Sequence, residues 1–215
     1  TVIGYNTQSM DLDQVITHEV GHNWFYGILG NNERDQPFMD EGLNSVYEML
    51  YVREKYPDKT LAELAGFGSA FPLLGLNKKP YWKEKELLYF MSMKANLDQP
   101  IALPSEAFTT FNYGSVVYSK TALVFDYLRD YLGEEVFDKG MRAYYQSYRF
   151  KHPQAADLFR ALSSSTGVDM SAFEHYFINT RSRFDYSIKH LKRDEQGGYS
   201  LLVKNKTASP VPFVV

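Results

Sequence analysis

The sequence predicts a mainly α protein, a helical lobe followed by the first strands of a β domain. Three observations predict it. Apolar residues recur at helical spacing over several segments between positions 10 and 180. Past Thr180 the period shortens towards two. At 215 residues and 44% apolar content, the chain can bury one sizeable core, or one core plus the beginning of a second.

Taken in order, Ser9 precedes MDLDQVITHEVGHNWFYGILG, whose Asp11 and Asp13 suit a helix N-terminus and whose Gly30, Asn31 and Asn32 suit an exit. A helix is expected from about Met10 to Leu29. From Asp40 to Tyr56, Leu43, Val46, Tyr47 and Leu50 fall at i, i+3, i+4 and i+7, and Pro57 ends the pattern. Glycines and prolines punctuate residues 61–104 and predict short helices and long loops, with a better helix at about Trp82 to Lys94. GSVVYSKTALVFDYLRDYLG carries a helical stripe through Val117, Leu123, Val124, Tyr127, Leu128 and Tyr131, with Gly133 as its C-cap. Three more helices are expected at about Glu134–Tyr148, Pro153–Ser165 and Met170–Asn179. FDYSIKHL and YSLLVKN then read as strands flanking KRDEQGG, and Val211, Phe213 and Val215 alternate again.

Composition narrows the chemistry. A net charge of -3 with interspersed signs provides no basic stripe for phosphates, which argues against nucleic acid as a partner. No apolar run approaches the roughly 18–20 residues of a membrane helix. The absence of cysteine removes disulfides, thiolate metal sites and cysteine nucleophiles, so a metal would have to be held by His, Asp and Glu. The chain starts at Thr1 without Met and ends on PVPFVV, from which a fragment of a longer protein is expected.

THEVGHNW holds the candidate site. Residues i and i+4 of a helix share a face, so His18 and His22 can reach one ion. Glu19, about 100° around the helix, falls beside that ion, where a general base for a metal-polarised water belongs. Two capping or packing histidines would give the same pair, and a third ligand separates the readings. FMDEGLNSVYE supplies one: Glu41 follows His22 after 18 residues, where an antiparallel return would bring it back to the first helix. Two imidazoles and one carboxylate with an open position make a catalytic zinc set. Glu48, seven residues further on, shares a face with Glu41 and could accept the ring N–H of a ligand histidine. Gly42 suggests a close approach of backbone or substrate.

HExxH, 18 residues, then Glu inside an Asn/Asp-Glu-Gly triplet resembles the gluzincin metallopeptidases of the aminopeptidase N and leukotriene A4 hydrolase family. The resemblance implies zinc on His18, His22 and Glu41, Glu19 as the base, and Glu48 as a support for a ligand histidine. VYSKTALVFDYLRDYLGEEVFDKGMRAYYQSY resembles the family's Tyr-any-Lys-Gly-Ala segment, which implies that Tyr118 donates a hydrogen bond to the oxyanion, with Tyr113 of NYGS as the alternative. Gly21 and Asn23 replace the family's usual Ala and Gln, and Thr121 stands where Gly is common. The resemblance implies a thermolysin-like helical lobe, with residues 1–182 as the C-terminal part of a catalytic domain and 183–215 as the start of a β-rich domain.

The implied function is zinc-dependent removal of N-terminal residues from peptides. A thermolysin-like endopeptidase and a non-catalytic zinc-stabilised binding module are the alternatives. The family's Gly-any-Met-Glu-Asn strand, whose glutamate grips the substrate amine, has no match in Thr1–Asp13. A missing N-terminal β domain is therefore expected to complete the cleft, and the chain alone is expected to be weakly active or inactive. His152, His175 and His190 lack partners at metal spacing and read as structural or exposed. The charged run NKKPYWKEKE, Asn77–Glu86, reads as a solvated face or loop rather than a binding patch.

Overall fold

The computed structural model describes residues 10–64, 73–183, 185–207 and 209–212, and these form a helical body followed by a two-stranded sheet. Six longer helices build the body: α1 Met10–Gly21, α2 Glu41–Lys55, α3 Glu84–Lys94, α4 Thr121–Leu132, α5 Glu134–Tyr148 and α6 Ala155–Thr166. A π-helical stretch, Tyr113–Lys120, leads directly into α4, and a second, Glu174–Asn179, follows the short Ser171–Phe173 turn of helix.

Helix α2 is the centre of the arrangement, packing against α1, α4 and the π-helical stretch. Its stripe Leu43, Val46, Met49 and Val52 is buried, as its helical spacing requires. Phe125 and Leu128 of α4, Phe137 of α5 and Leu158 of α6 complete the same core. Gly133, at φ +84°, divides α4 from α5 at the expected boundary, in a conformation that favours glycine.

Two expectations need correction. Helix α1 stops at Gly21 instead of reaching Leu29. Beyond it the chain turns, with Tyr26 at φ +89°, so that Leu29 is buried and the segment pairs with residues 150–151 through Phe150 N–H to Ile28 O and Gly30 N–H to Lys151 O. That tertiary pairing overrides the helical pattern of NWFYGIL. The run Asn77–Glu86 is solvated only in part: Lys78, Lys79 and Glu86 are exposed, but two members turn inwards. Tyr81 is fully buried and Lys85 is 7% exposed.

The strands β1 Tyr186–Arg193 and β2 Tyr199–Asn205 form an antiparallel hairpin with a register shift between Ile188 and His190. Val211 is buried against the helical core and lies in no strand, while Ser9, Phe184, Phe213 and Val215 lie outside the described residues. No helix of the described residues is long and apolar enough to cross a membrane.

Candidate metal centre

The first helix and the start of the second hold the site. His18 lies in the last turn of α1, and His22 follows immediately, its N–H still donating to His18 O at 3.3 Å, so the one-turn relation of the two rings survives the early helix end. Asn44 of α2 donates through Nδ2 to that same His18 carbonyl at 2.7 Å. A Cβ on Gly21 would lie 1.9 Å from Asn44 Oδ1, which accounts for glycine at this helix position. Glu41 is the first residue of α2.

Three ligand atoms converge. His18 Nε2 is 3.0 Å and His22 Nε2 is 3.2 Å from Glu41 Oε2, and the two Nε2 atoms are 3.2 Å apart. Among the described residues, His18, His22 and Glu41 are the one group of histidine and carboxylate side chains placed to share a metal ion. Each ring is also held from behind. His18 Nδ1 is 2.8 Å from Glu48 Oε2, and His22 Nδ1 is 2.8 Å from Asp40 Oδ1. Glu48 on His18 Nδ1, and Asp40 with the Phe25 carbonyl on His22 Nδ1, make that nitrogen the one that keeps its proton, so that Nε2 is the nitrogen a metal would take in exchange for a proton.

The electrostatics agree. Burial alone would lower the His18 pKa, but its contacts with Glu41 and Glu48 outweigh burial and push it up to about 9. Burial works in the opposite sense on Glu48, yet the His18 hydrogen bond, the Lys85 charge and Gln14 hold its carboxyl down at about 2. Burial raises the Asp40 carboxyl above its ordinary range. Glu41 ends below its ordinary value, because His18 and Tyr118 offset its burial.

Tyr118 stands on the π-helical stretch, its ring stacked on His18 with centroids 5.7 Å apart and its phenol near enough to Glu41 to feel that carboxylate's charge. Burial and the Glu41 charge push its phenol above the ordinary value, so it stays protonated at neutral pH. Tyr113 lies edge-on to Tyr118 at 5.9 Å. The approach of α2 to this stretch depends on Gly42: a Cβ there would meet Thr121 Cγ2 at 2.6 Å and Val117 O at 2.8 Å. The close approach expected at Gly42 is thus to the helix bearing Tyr118. Glu19 is exposed, and with His18, Glu48 and Tyr118 it lines a cavity of about 300 Å³.

All the residues singled out in the sequence, His18, Glu19, His22, Glu41, Glu48 and Tyr118, therefore gather here. Asp40 and Lys85 were missed. Asp40 had a signal, an acid beside the third ligand, whereas Lys85 sat in a charged run that looked solvated. His152 Nδ1 contacts Gly30 O at 2.7 Å, and His175 and His190 are exposed, in keeping with their expected structural or surface placement.

Comparison with known proteins gives the same direction. The chain is 27% identical over 159 residues to aminopeptidase N of Lactococcus lactis subsp. lactis, covering 74% of this chain and 17% of that protein. It is 26% identical over 154 residues to endoplasmic reticulum aminopeptidase 2 of Homo sapiens, covering 71% and 14%. An M1 zinc metallopeptidase from Deinococcus radiodurans shares the fold, with a TM-score of 0.56 and 16% identity, covering 80% of this chain and 33% of that one. The chain thus spans less than a fifth of these curated relatives. The Peptidase family M1 domain matches residues 4–177, and the chain belongs to that family.

Proposed function

We propose that this chain carries the zinc centre of an aminopeptidase, with His18, His22 and Glu41 as the metal ligands. The carrying observation is the triangle of ligand atoms with edges of 3.0, 3.2 and 3.2 Å. Zinc bonds of 2.0–2.1 Å in a tetrahedral site put neighbouring ligand atoms about 3.3 Å apart. Two imidazoles and one carboxylate leave a fourth position open, as catalytic zinc requires. When bound, zinc supplies Lewis acidity towards water and a peptide carbonyl.

The remaining work falls to this chain's side chains. Glu19 takes a proton from the attacking water and passes it to the leaving amine. Tyr118, neutral at working pH, donates its O–H to the carbonyl oxygen as negative charge develops there. Glu48 and Asp40 hold the two rings. Support for a peptide substrate comes from the names of the relatives, which are aminopeptidases, and from a mutant of the Deinococcus radiodurans enzyme described as bound to a Tyr-Ser-Ala substrate.

The same reading assigns residues 1–182 to the C-terminal part of the catalytic domain and 183–215 to the start of a β-rich domain. Ile188, Leu191 and Leu202, each more than 60% exposed on the hairpin, favour a further layer over it. Ile16 and Val20 of α1 and Trp24 just beyond its end border an apolar groove of about 730 Å³, a surface that an N-terminal domain would cover while completing the cleft. The test is Glu19→Gln in the full-length enzyme. Zinc content should be unchanged and hydrolysis of aminoacyl amides should fall at least 100-fold; retained turnover would remove Glu19 from the mechanism.

A further inference from the structure

Behind the metal centre lies a buried ammonium. Lys85, near the start of α3, is 7% exposed, with Nζ 3.1 Å from Glu48 Oε1 and 3.4 Å from Glu84 Oε1. Glu48 divides its two oxygens: Oε2 faces His18 Nδ1, and Oε1 receives Lys85 and the Gln14 side-chain amide. Gln14 also donates to Glu84 Oε1 at 2.6 Å and accepts from the Tyr81 hydroxyl. The result is a continuous buried path, Lys85 to Glu48 to His18, ending where the ligand atoms converge.

Burial of apolar area does not explain this placement. Helix α3 turns Lys85 and Ser92 inwards while leaving Leu87, Leu88, Phe90 and Met91 40–51% exposed. An ammonium taken out of water is costly unless well paired, and Met or Leu would fill the same space more cheaply. Without Lys85, the Glu48 and Glu84 carboxylates would share one neutral amide in a buried spot and repel each other, and Glu48 would be free to swing away from His18.

We propose that Lys85 is a positioning residue of the metal centre: its ammonium fixes the Glu48 carboxylate on His18 Nδ1 and so keeps His18 Nε2 aimed at the point that His22 and Glu41 face. This rests on the zinc reading above. The test measures zinc dissociation constants of the full chain by competition with a chromophoric chelator, for the unmodified protein, Lys85→Met, Lys85→Arg, Glu48→Gln and Lys85→Met/Glu48→Gln, with the metal-free fold followed by circular dichroism. Lys85→Met should weaken zinc about tenfold. Lys85→Arg should stay within about threefold, because it keeps the charge. In the Glu48→Gln background, Lys85→Met should add no further loss, which a merely structural lysine would not reproduce. Lys85→Gln replaces the methionine variant should the latter not fold, with the same expectation.

Unchanged affinity in a folded neutral variant, or an equal loss in the Glu48→Gln background, would overturn the role. Failure of the unmodified chain to bind zinc would overturn the zinc reading and this inference together.

Discussion

Replacing Gly42 with alanine tests how α2 and the Tyr118 helix are held together. The added Cβ would lie 2.6 and 2.9 Å from Thr121 Cγ2 and Cβ and 2.8 Å from Val117 O, where ordinary contact is 3.4–4 Å. One of the three atoms is backbone oxygen and another is a Cβ that moves only with its backbone, so no rotamer change relieves either, and the two helices must separate by about 0.5–0.8 Å. Overpacking of this kind costs about 1–3 kcal/mol. Three atoms closer than 3.0 Å place this site in the upper half of that range, about 2–3 kcal/mol, and alanine's better helix propensity returns about 1 kcal/mol, leaving a net loss of about 1–2 kcal/mol. For a chain of this size that lowers Tm by about 2–8 °C, readable by thermal denaturation of the metal-free protein. In a Thr121→Gly background the cost should shrink by about 0.5 kcal/mol or more without vanishing, because Val117 O remains. A neutral or stabilising Gly42→Ala, or an identical cost in both backgrounds, would refute the close-approach argument.

Further outcomes concern charge. Because the His18 pKa stands at about 9 in the metal-free protein, its contacts with Glu41 and Glu48 contribute stability that is full below pH 6.5 and lost as pH rises through 9. Zinc must displace that proton, so affinity should climb between pH 7 and 9, and calorimetry in buffers of differing ionisation enthalpy should count about one proton released near neutral pH; pH-independent binding without release would contradict it. Asp40→Asn should weaken zinc about tenfold or more while leaving the metal-free fold intact, measured by chelator competition. Lys120 is buried and reaches Asp98 at 2.9 Å and the Gln99 carbonyl at 2.9 Å, clamping the end of the π-helical stretch. Lys120→Met should cost about 3–5 kcal/mol in urea denaturation by leaving the buried Asp98 charge without its cation, the Tyr89 hydroxyl still donating to it, and Asp98→Asn in addition should recover part of the loss.

The legibility of the site divides along physical lines. His18 and His22 were readable because a helix repeats every turn, and Glu41 and Glu48 because they share the next helix and a recognisable spacing. Lys85 was not, since what makes it internal is its pairing with Glu48 of another helix, in a network that Gln14 of α1 joins through Glu48 and Glu84; a charged run carries no trace of these. The early end of α1 was hidden for a similar reason: pairing with residues 150–151 is a tertiary event, and periodicity in NWFYGIL continues regardless. The π-helical stretch under Tyr118 was equally invisible, because its apolar stripe fits an α-helix over the same residues. By contrast, α2 and the Gly133 boundary followed from local signals that tertiary packing reinforced.

Whether His18, His22 and Glu41 form one zinc site is read most directly by metal analysis of the chain after reconstitution with zinc at neutral pH and removal of excess, beside the His22→Ala and Glu41→Gln variants. Close to one zinc per chain is expected for the unmodified protein, with little retained by either variant. An unmodified chain that holds no zinc, or variants that hold as much as it does, would contradict the assignment.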